Sequence, residues 1–138
     1  MIILDTNVIL EPLRKAPDSR VVARIDAQPL RTLYLSAITV AELRFGTAAM
    51  PAGRRRDNLR DRFEARVLPL FAERVLAFDL TASAQYAELV ATARATGAAI
   101  GTADGYIAAI AGAARMAVAT RDTAPFRAAG VSVINPWA

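Results

Sequence analysis

Residues 1–10 read MIILDTNVIL, and the fold is decided in the first half of that stretch. Ile2, Ile3 and Leu4 form an unbroken apolar run, too short for a helix and closed at once by Asp5. A run that is apolar at every position predicts a strand buried on both faces. From Asn7 to Lys15 the pattern turns helical, with Val8, Ile9, Pro12 and Leu13 apolar, until Ala16-Pro17-Asp18-Ser19 breaks it. A buried strand, an acid at its end and a helix leaving it make the unit to look for further along.

The unit recurs. A second short helix, capped by Asp18 or Ser19, runs through Ala27 and ends before Pro29. Leu33 to Leu35 is the next strand, and Ser36 caps a helix holding Val40, Ala41, Leu43, Arg44 and Phe45, which the stretch from Gly46 to Gly53 ends. Arg54 to Phe71 reads as one charged amphipathic helix with Leu59, Phe63 and Val67 near one face. Val75 to Phe78 is a third strand, followed by a helix from Thr81 to Thr96 that stops at Gly97. Thr102 caps a helix over Ala103 to Ala114, Met116 to Ala119 is the fourth strand, Thr123 to Ala129 a short helix and Val131 to Ile134 a short fifth strand. This alternation predicts an α/β fold with a mostly parallel sheet of four to five strands and helices on both faces. The length of 138 residues fits one domain over residues 1–138.

Composition narrows the chemistry. The chain is 54% hydrophobic and 22% charged, too apolar for a disordered chain. It has no cysteine, hence no disulfide and no thiolate nucleophile or ligand. It also has no histidine, which removes the commonest general base and the commonest ligand for zinc, copper and nickel. Any metal must be held by oxygen, which selects a hard cation such as Mg²⁺ or Mn²⁺. The start lacks a basic leader, and the alanine-rich stretch from Ala103 to Ala119 is interrupted by Asp104 and Arg115, so neither a signal peptide nor a membrane span is expected. A cytoplasmic protein is the expectation. The net charge of +4 is mildly favourable for a polyanionic partner and decides nothing by itself.

The acids carry the information. Asp5 follows the first strand directly, and Asp122 follows the fourth with Thr120 and Arg121 between. Glu42 lies early in the helix leaving the second strand, and Asp104 in the first turn of the helix that starts at Thr102. In an open parallel sheet all these positions fall at the carboxyl edge, where the reversal of strand order opens a crevice for ligands. Each acid also has a plain structural reading: Asp5 as a turn residue, Asp104 as a complement to a helix dipole, Asp122 as a helix cap. Glu42 sits among Val40, Ala41, Leu43 and Phe45, which makes an incidental role harder to assign. Joint placement carries the case. Four carboxylates in one crevice repel one another, and a divalent cation resolves the repulsion. Without histidine, lysine or cysteine at hand, metal-activated hydrolysis of a phosphodiester is the chemistry that fits best. Asp5, Asp104 and Asp122 are then the principal ligands, Glu42 a ligand or the base for the attacking water, and Thr6, Asn7 and Thr120 the hydrogen-bonding support.

The segments LDTNVIL (4–10), LSAITVAELRFG (35–46), DGYIAAIA (104–111), VATRD (118–122) and VINPW (133–137) resemble the PIN-domain family. More narrowly, they resemble the VapC-like toxins of bacterial toxin–antitoxin pairs, in particular the FitB-like subgroup. The resemblance runs from Met1 to Trp137 and implies an Mg²⁺- or Mn²⁺-dependent endoribonuclease. It maps the family's acids onto Asp5, Glu42, Asp104 and Asp122, and its hydroxyl position onto Thr120. It further implies a homodimer that cleaves structured RNA and is neutralised by a cognate small DNA-binding antitoxin whose C-terminal segment fills a groove at the active site. Two positions depart from the common pattern. Gly105 follows the third acid where alanine is usual, and Pro125 stands before Phe126 where many relatives carry a further acid.

Other features have competing readings. Arg54, Arg55 and Arg56, with Arg60 and Arg62, are interleaved with Asp57, Asp61 and Glu64, so they read first as a solvated helix face and second as a phosphate-contacting rim. Arg44 and Arg121 lie nearer the crevice and are the candidates for contacting substrate or antitoxin. Tyr106, Phe126 and Trp137 read as packing residues before base-stacking ones. Haloacid-dehalogenase-like phosphatases need an aspartate two places after the first, where Asn7 stands, and receiver domains need a late lysine, whereas Lys15 is the only one. A catalytically silent interaction module and a metal-dependent DNase remain as alternatives to the ribonuclease.

Overall fold

The Ile2–Leu4 run forms β1 at the middle of a five-stranded sheet in a computed structural model of residues 1–138. Its neighbours are β2 (Leu33–Ser36) on one side and β4 (Ala117–Ala119) on the other, with β3 (Val75–Leu76) and β5 (Val133–Ile134) at the edges. All four pairings are parallel, so the order is β3-β2-β1-β4-β5. The chain therefore builds outward from β1 through β2 to β3, then returns to start the other half at β4. The order reverses between β1 and β4, which is where a crevice opens at the carboxyl ends of the strands.

Adjacent strand residues feed opposite faces, as the twofold period of a strand requires. Leu4, Leu33, Leu35 and Ala119 pack with Val8, Ile9, Leu13, Val40, Leu43, Phe63 and Phe71 in one core. Ile3 and Val118 point the other way, into a second core with Ile107, Ala108, Ile110, Ala111 and Phe126. Helices α1 (Thr6–Leu10) and α3 (Ala37–Ala48) cover the first face; α6 (Thr102–Ala114) and α7 (Thr123–Ala128) cover the second. The remaining helices are α2 (Ser19–Asp26), α4 (Arg54–Asp61) and α5 (Leu80–Ala95). The continuous apolar runs of β1 and β4 are thus buried on both sides, as their sequence requires.

The structure moves several boundaries. Helix α1 starts at Thr6, because Asp5 is its cap, and Pro12 falls in a 3₁₀ turn, Glu11–Leu13, that finishes it. Helix α3 continues through Gly46 to Ala48, since Leu43 and Thr47 are buried and packing outweighs the cost of one glycine. The single helix expected over Arg54 to Phe71 changes form twice: after α4 comes a π-helical turn, Arg62–Val67, then a 3₁₀ turn, Leu68–Phe71. Pro69 has no N–H to continue an α ladder, and the altered winding brings both Phe63 and Phe71 into the core. Strand β3 keeps only two residues, because Asp79 caps α5 through a bond from Ala82 N at 2.9 Å and takes the chain away from the sheet. Strand β4 begins at Ala117 and β5 at Val133, each later than expected. Gly101 holds the cap position of α6, which makes Thr102 its first helical residue.

Helices α5 and α6 pack closely at Gly105. A methyl group there would stand 3.1 Å from Tyr86 Cε2 and 3.5 Å from Val90 Cγ2, which gives this departure from the usual alanine a local cause. Tyr86, Tyr106 and Phe78 stack around the same contact, with ring centroids 4.8–6.1 Å apart.

Candidate active site

Asp5 is set by the strand that ends at it and the helix that starts after it. Its N–H donates to Ala119 O at 2.9 Å, continuing the β1–β4 ladder by one residue. Its carboxylate then has no room to wander. Oδ1 accepts from Thr6 N at 2.8 Å as the cap of α1, and Oδ2 accepts from Thr120 Oγ1 at 2.7 Å. Asp5 is buried and Thr120 wholly so. The same Thr120 hydroxyl accepts from Asp122 N at 3.1 Å, which ties the chain leaving β4 to the chain leaving β1. Asn7 adds a second tie: its Oδ1 accepts from Arg121 N at 3.1 Å, and its Nδ2 lies 3.4 Å from both Asp5 Oδ2 and Thr120 Oγ1.

Glu42 lies on the exposed face of α3, and its Oε1 accepts from Thr6 Oγ1 at 2.7 Å. Behind it stands a row of hydroxyls in which Thr39, not singled out by the sequence, links Thr6 to Ser36. Thr6 Oγ1 is 3.2 Å from Thr39 Oγ1, which is 3.3 Å from Ser36 Oγ, itself the acceptor for Thr39 N at 3.0 Å and thus the cap of α3. The spacing of Ser36, Thr39 and Glu42 at every third residue puts them along one side of the helix start, and that was the available signal. Asp104 lies half-buried in the first turn of α6, where a dipole-complementing acid would also stand. Asp122 occupies the cap position of α7, yet its side chain makes no capping bond, so its plain structural reading finds no contact to support it.

The electrostatics join the four acids. Burial raises the Asp5 carboxyl above its ordinary value, against the bonds from Thr120 and Thr6 that lower it, and the charges of Glu42 and Asp122 raise it further. Asp104 is pushed up to about 6, first by burial and then by Asp5, Asp122 and Glu42. Asp5 and Asp104 are therefore each within Coulombic reach of the other three acids, and none of the four is in an ion pair with a basic side chain. No three of them close into a ready-made metal cage. A cavity of about 250 Å³ lined by Ile2, Arg24, Ile25, Leu33 and Ile134 holds none of the four acids.

The other candidate residues are placed less directly. Arg44 is engaged by Glu64 through Nε–Oε1 at 2.7 Å and a second contact of 3.1 Å to Oε2. The Arg121 guanidinium lies over the Trp137 ring, 5.2 Å from its centroid. Arg54 and Arg55 are exposed on α4, and Arg56 lies 3.8 Å from Asp57. Phe126 is fully buried and Tyr106 is stacked against Phe78 and Tyr86, so both pack as the sequence suggests. The large aromatic that does stand in solvent is Phe45, 74% exposed, one turn beyond Glu42.

The PIN-domain family description matches residues 2–131. VapC ribonuclease Y4jK of Sinorhizobium fredii is 63% identical over 99% of this chain and 98% of its own length. Toxin FitB of Neisseria gonorrhoeae is 53% identical over 99% of both chains. The crystal structure of FitAcB from Neisseria gonorrhoeae superposes with a TM-score of 0.96 at 53% identity, covering 99% of each chain.

Proposed function

The chain belongs to the PIN-domain family, and on that premise we propose that it is an Mg²⁺- or Mn²⁺-dependent endoribonuclease, the toxin of a toxin–antitoxin pair. The observation that carries the reading is the set of four carboxylates, unneutralised by any basic side chain, at the switch point of a parallel sheet. The ribonuclease and toxin names of relatives 63% and 53% identical over nearly the whole chain support it. Asp5, Asp104 and Asp122 are the principal ligands, directly or through water. When bound, the cation supplies the positive charge that the acids lack, lowers the pKa of a water and stabilises charge on the phosphoryl oxygen.

The chain's own residues do the rest. Thr120 and the Thr6 N–H hold both oxygens of Asp5, so one ligand is oriented before any cation arrives. Asn7 and Thr120 fix the Thr120–Asp122 turn against the start of α1, which sets where Asp122 can reach. Glu42 is exposed with one oxygen held by Thr6 and the other free, suited either to ligation or to taking a proton from the attacking water. Arg121 and Arg44 are proposed contacts for substrate or antitoxin; for Arg44 this requires release from Glu64. A homodimer, a cognate small DNA-binding antitoxin and a cytoplasmic location complete the proposal. No helix is long and apolar enough to cross a membrane.

The test is cleavage of total bacterial RNA by antitoxin-free protein, with Mg²⁺ or with EDTA, beside Asp5→Asn. Discrete products that need both the metal and Asp5 are expected. Cleavage of DNA in place of RNA would convert the proposal to a DNase. A folded, metal-binding chain that cuts neither would make it a silent interaction module.

A further inference from the structure

Phe45 belongs to neither core. It is 74% exposed, and no other large exposed apolar side chain belongs to α3. On a helix its surface neighbours are the residues three and four positions away: Ala41, Glu42, Ala48 and Ala49. Three of these are alanines, and a Cβ added to the adjoining Gly46 would meet nothing within 4 Å. The ring therefore stands largely in solvent on a face floored by small residues, and the charged residue among those helical neighbours is Glu42.

We propose that Phe45 is the stacking platform for a base of the RNA strand whose phosphodiester lies over the acids; the proposal rests on the ribonuclease reading above. A strand threaded past Glu42 meets the ring within a nucleotide or two, because residues three apart on a helix have Cβ atoms about 5–6 Å apart. A phenyl ring has no donor or acceptor, so it reads no base edge and accepts any base by its π-face. It does what the carboxylates cannot: they repel the phosphate backbone, whereas the ring gains from the neutral part of the nucleotide. Its contribution is to ground-state binding and register, placing one particular phosphate at the acids. Phe45 is in this sense a positioning residue for the cleavage.

The test uses a single-stranded RNA oligonucleotide spanning a mapped cleavage site and compares wild type with Phe45→Ala, Phe45→Trp and Phe45→Leu. Loss of one stacked base raises KM about tenfold in Phe45→Ala and Phe45→Leu, leaves kcat nearly unchanged, and Phe45→Trp restores KM. In an Asp5→Asn background, a fluorescent purine analogue moved along the oligonucleotide is quenched at one position near the scissile phosphate, and that quenching vanishes with Phe45→Ala. Unchanged KM in Phe45→Ala, or rescue by Phe45→Leu as good as by Phe45→Trp, would overturn stacking. A Phe45→Ala protein that keeps its RNA affinity but changes mass by light scattering, or loses its antitoxin, would assign the ring to a protein contact. If wild type neither binds nor cuts RNA, the ribonuclease reading fails first, and this separates it from a failure of the stacking role alone.

Discussion

At the scale of single residues, the site is organised by the partners of its acids as much as by the acids. Burial raises the Asp5 carboxyl, and the bond from the Thr120 hydroxyl is the strongest interaction opposing that rise. Thr120→Val keeps the shape and removes that donor, so a loss of about 1–2 kcal/mol in denaturant melts is expected, together with a fall in cleavage rate. Asp104 makes a prediction about pH. Its folded value of about 6 lies above the ordinary 3.8, so between the two the folded chain binds more protons than the unfolded one. The stability of the metal-free protein therefore falls as pH rises through that interval and stays at the lower level above it. Asp104→Asn relieves the strain near neutral pH by about 1 kcal/mol, a figure reduced for the partial exposure of the carboxyl, and raises Tm there while abolishing cleavage. An unchanged difference in Tm between Asp104→Asn and wild type across the acid range would contradict the sign. Much of this was legible in the sequence, because an acid directly after a buried strand can point to few places. Thr6 and Thr120 were named as hydrogen-bonding support, but their partners were not, since Thr6 to Thr39 and Asp5 to Thr120 are contacts across 33 and 115 residues that depend on rotamers and register.

At the scale of elements, α3 is the one on which most depends, since it carries Glu42 and Phe45 and is capped by a serine that also ends β2. Ser36→Ala removes the bond to Thr39 N and should cost about 1 kcal/mol, with a larger relative loss of activity because the same residue ends the hydroxyl row behind Glu42. Thermal melts and initial rates on one preparation give both numbers; a stability loss with full activity would separate the cap from the site. Strand and helix order were legible throughout, because runs such as IIL and VAT are short and apolar at nearly every position. Boundaries failed where tertiary contacts decide. Gly46 lies inside α3 because Leu43 and Thr47 hold that turn against the core. The winding of Arg62–Phe71 obeys the needs of Phe63, Phe71 and Pro69 rather than a steady period. Edge strands β3 and β5 are two residues each, too short for any pattern to bound.

At the scale of the whole molecule, one sheet separates two cores, and the crevice lies where the two halves of that sheet meet. Phe126 is the largest fully buried side chain, far from the acids in function yet central to the second core. Phe126→Ala should cost about 3–5 kcal/mol, enough to leave a domain of ordinary stability only marginally folded; chemical denaturation measures it. Cation binding should act in the opposite sense, raising Tm with the logarithm of cation concentration once that exceeds Kd, with the gain diminished in Asp104→Asn. Asp5 spans both concerns, since its carboxylate caps α1 and also faces the crevice. Asparagine caps a helix as well as aspartate does, so Asp5→Asn should keep the start of α1 and give up only the second acceptor oxygen, the one that Thr120 now holds. On the proposed reading, Asp5→Asn is the exchange that would part folding from cleavage: the chain would keep the start of its first helix while giving up a carboxylate of the acidic set.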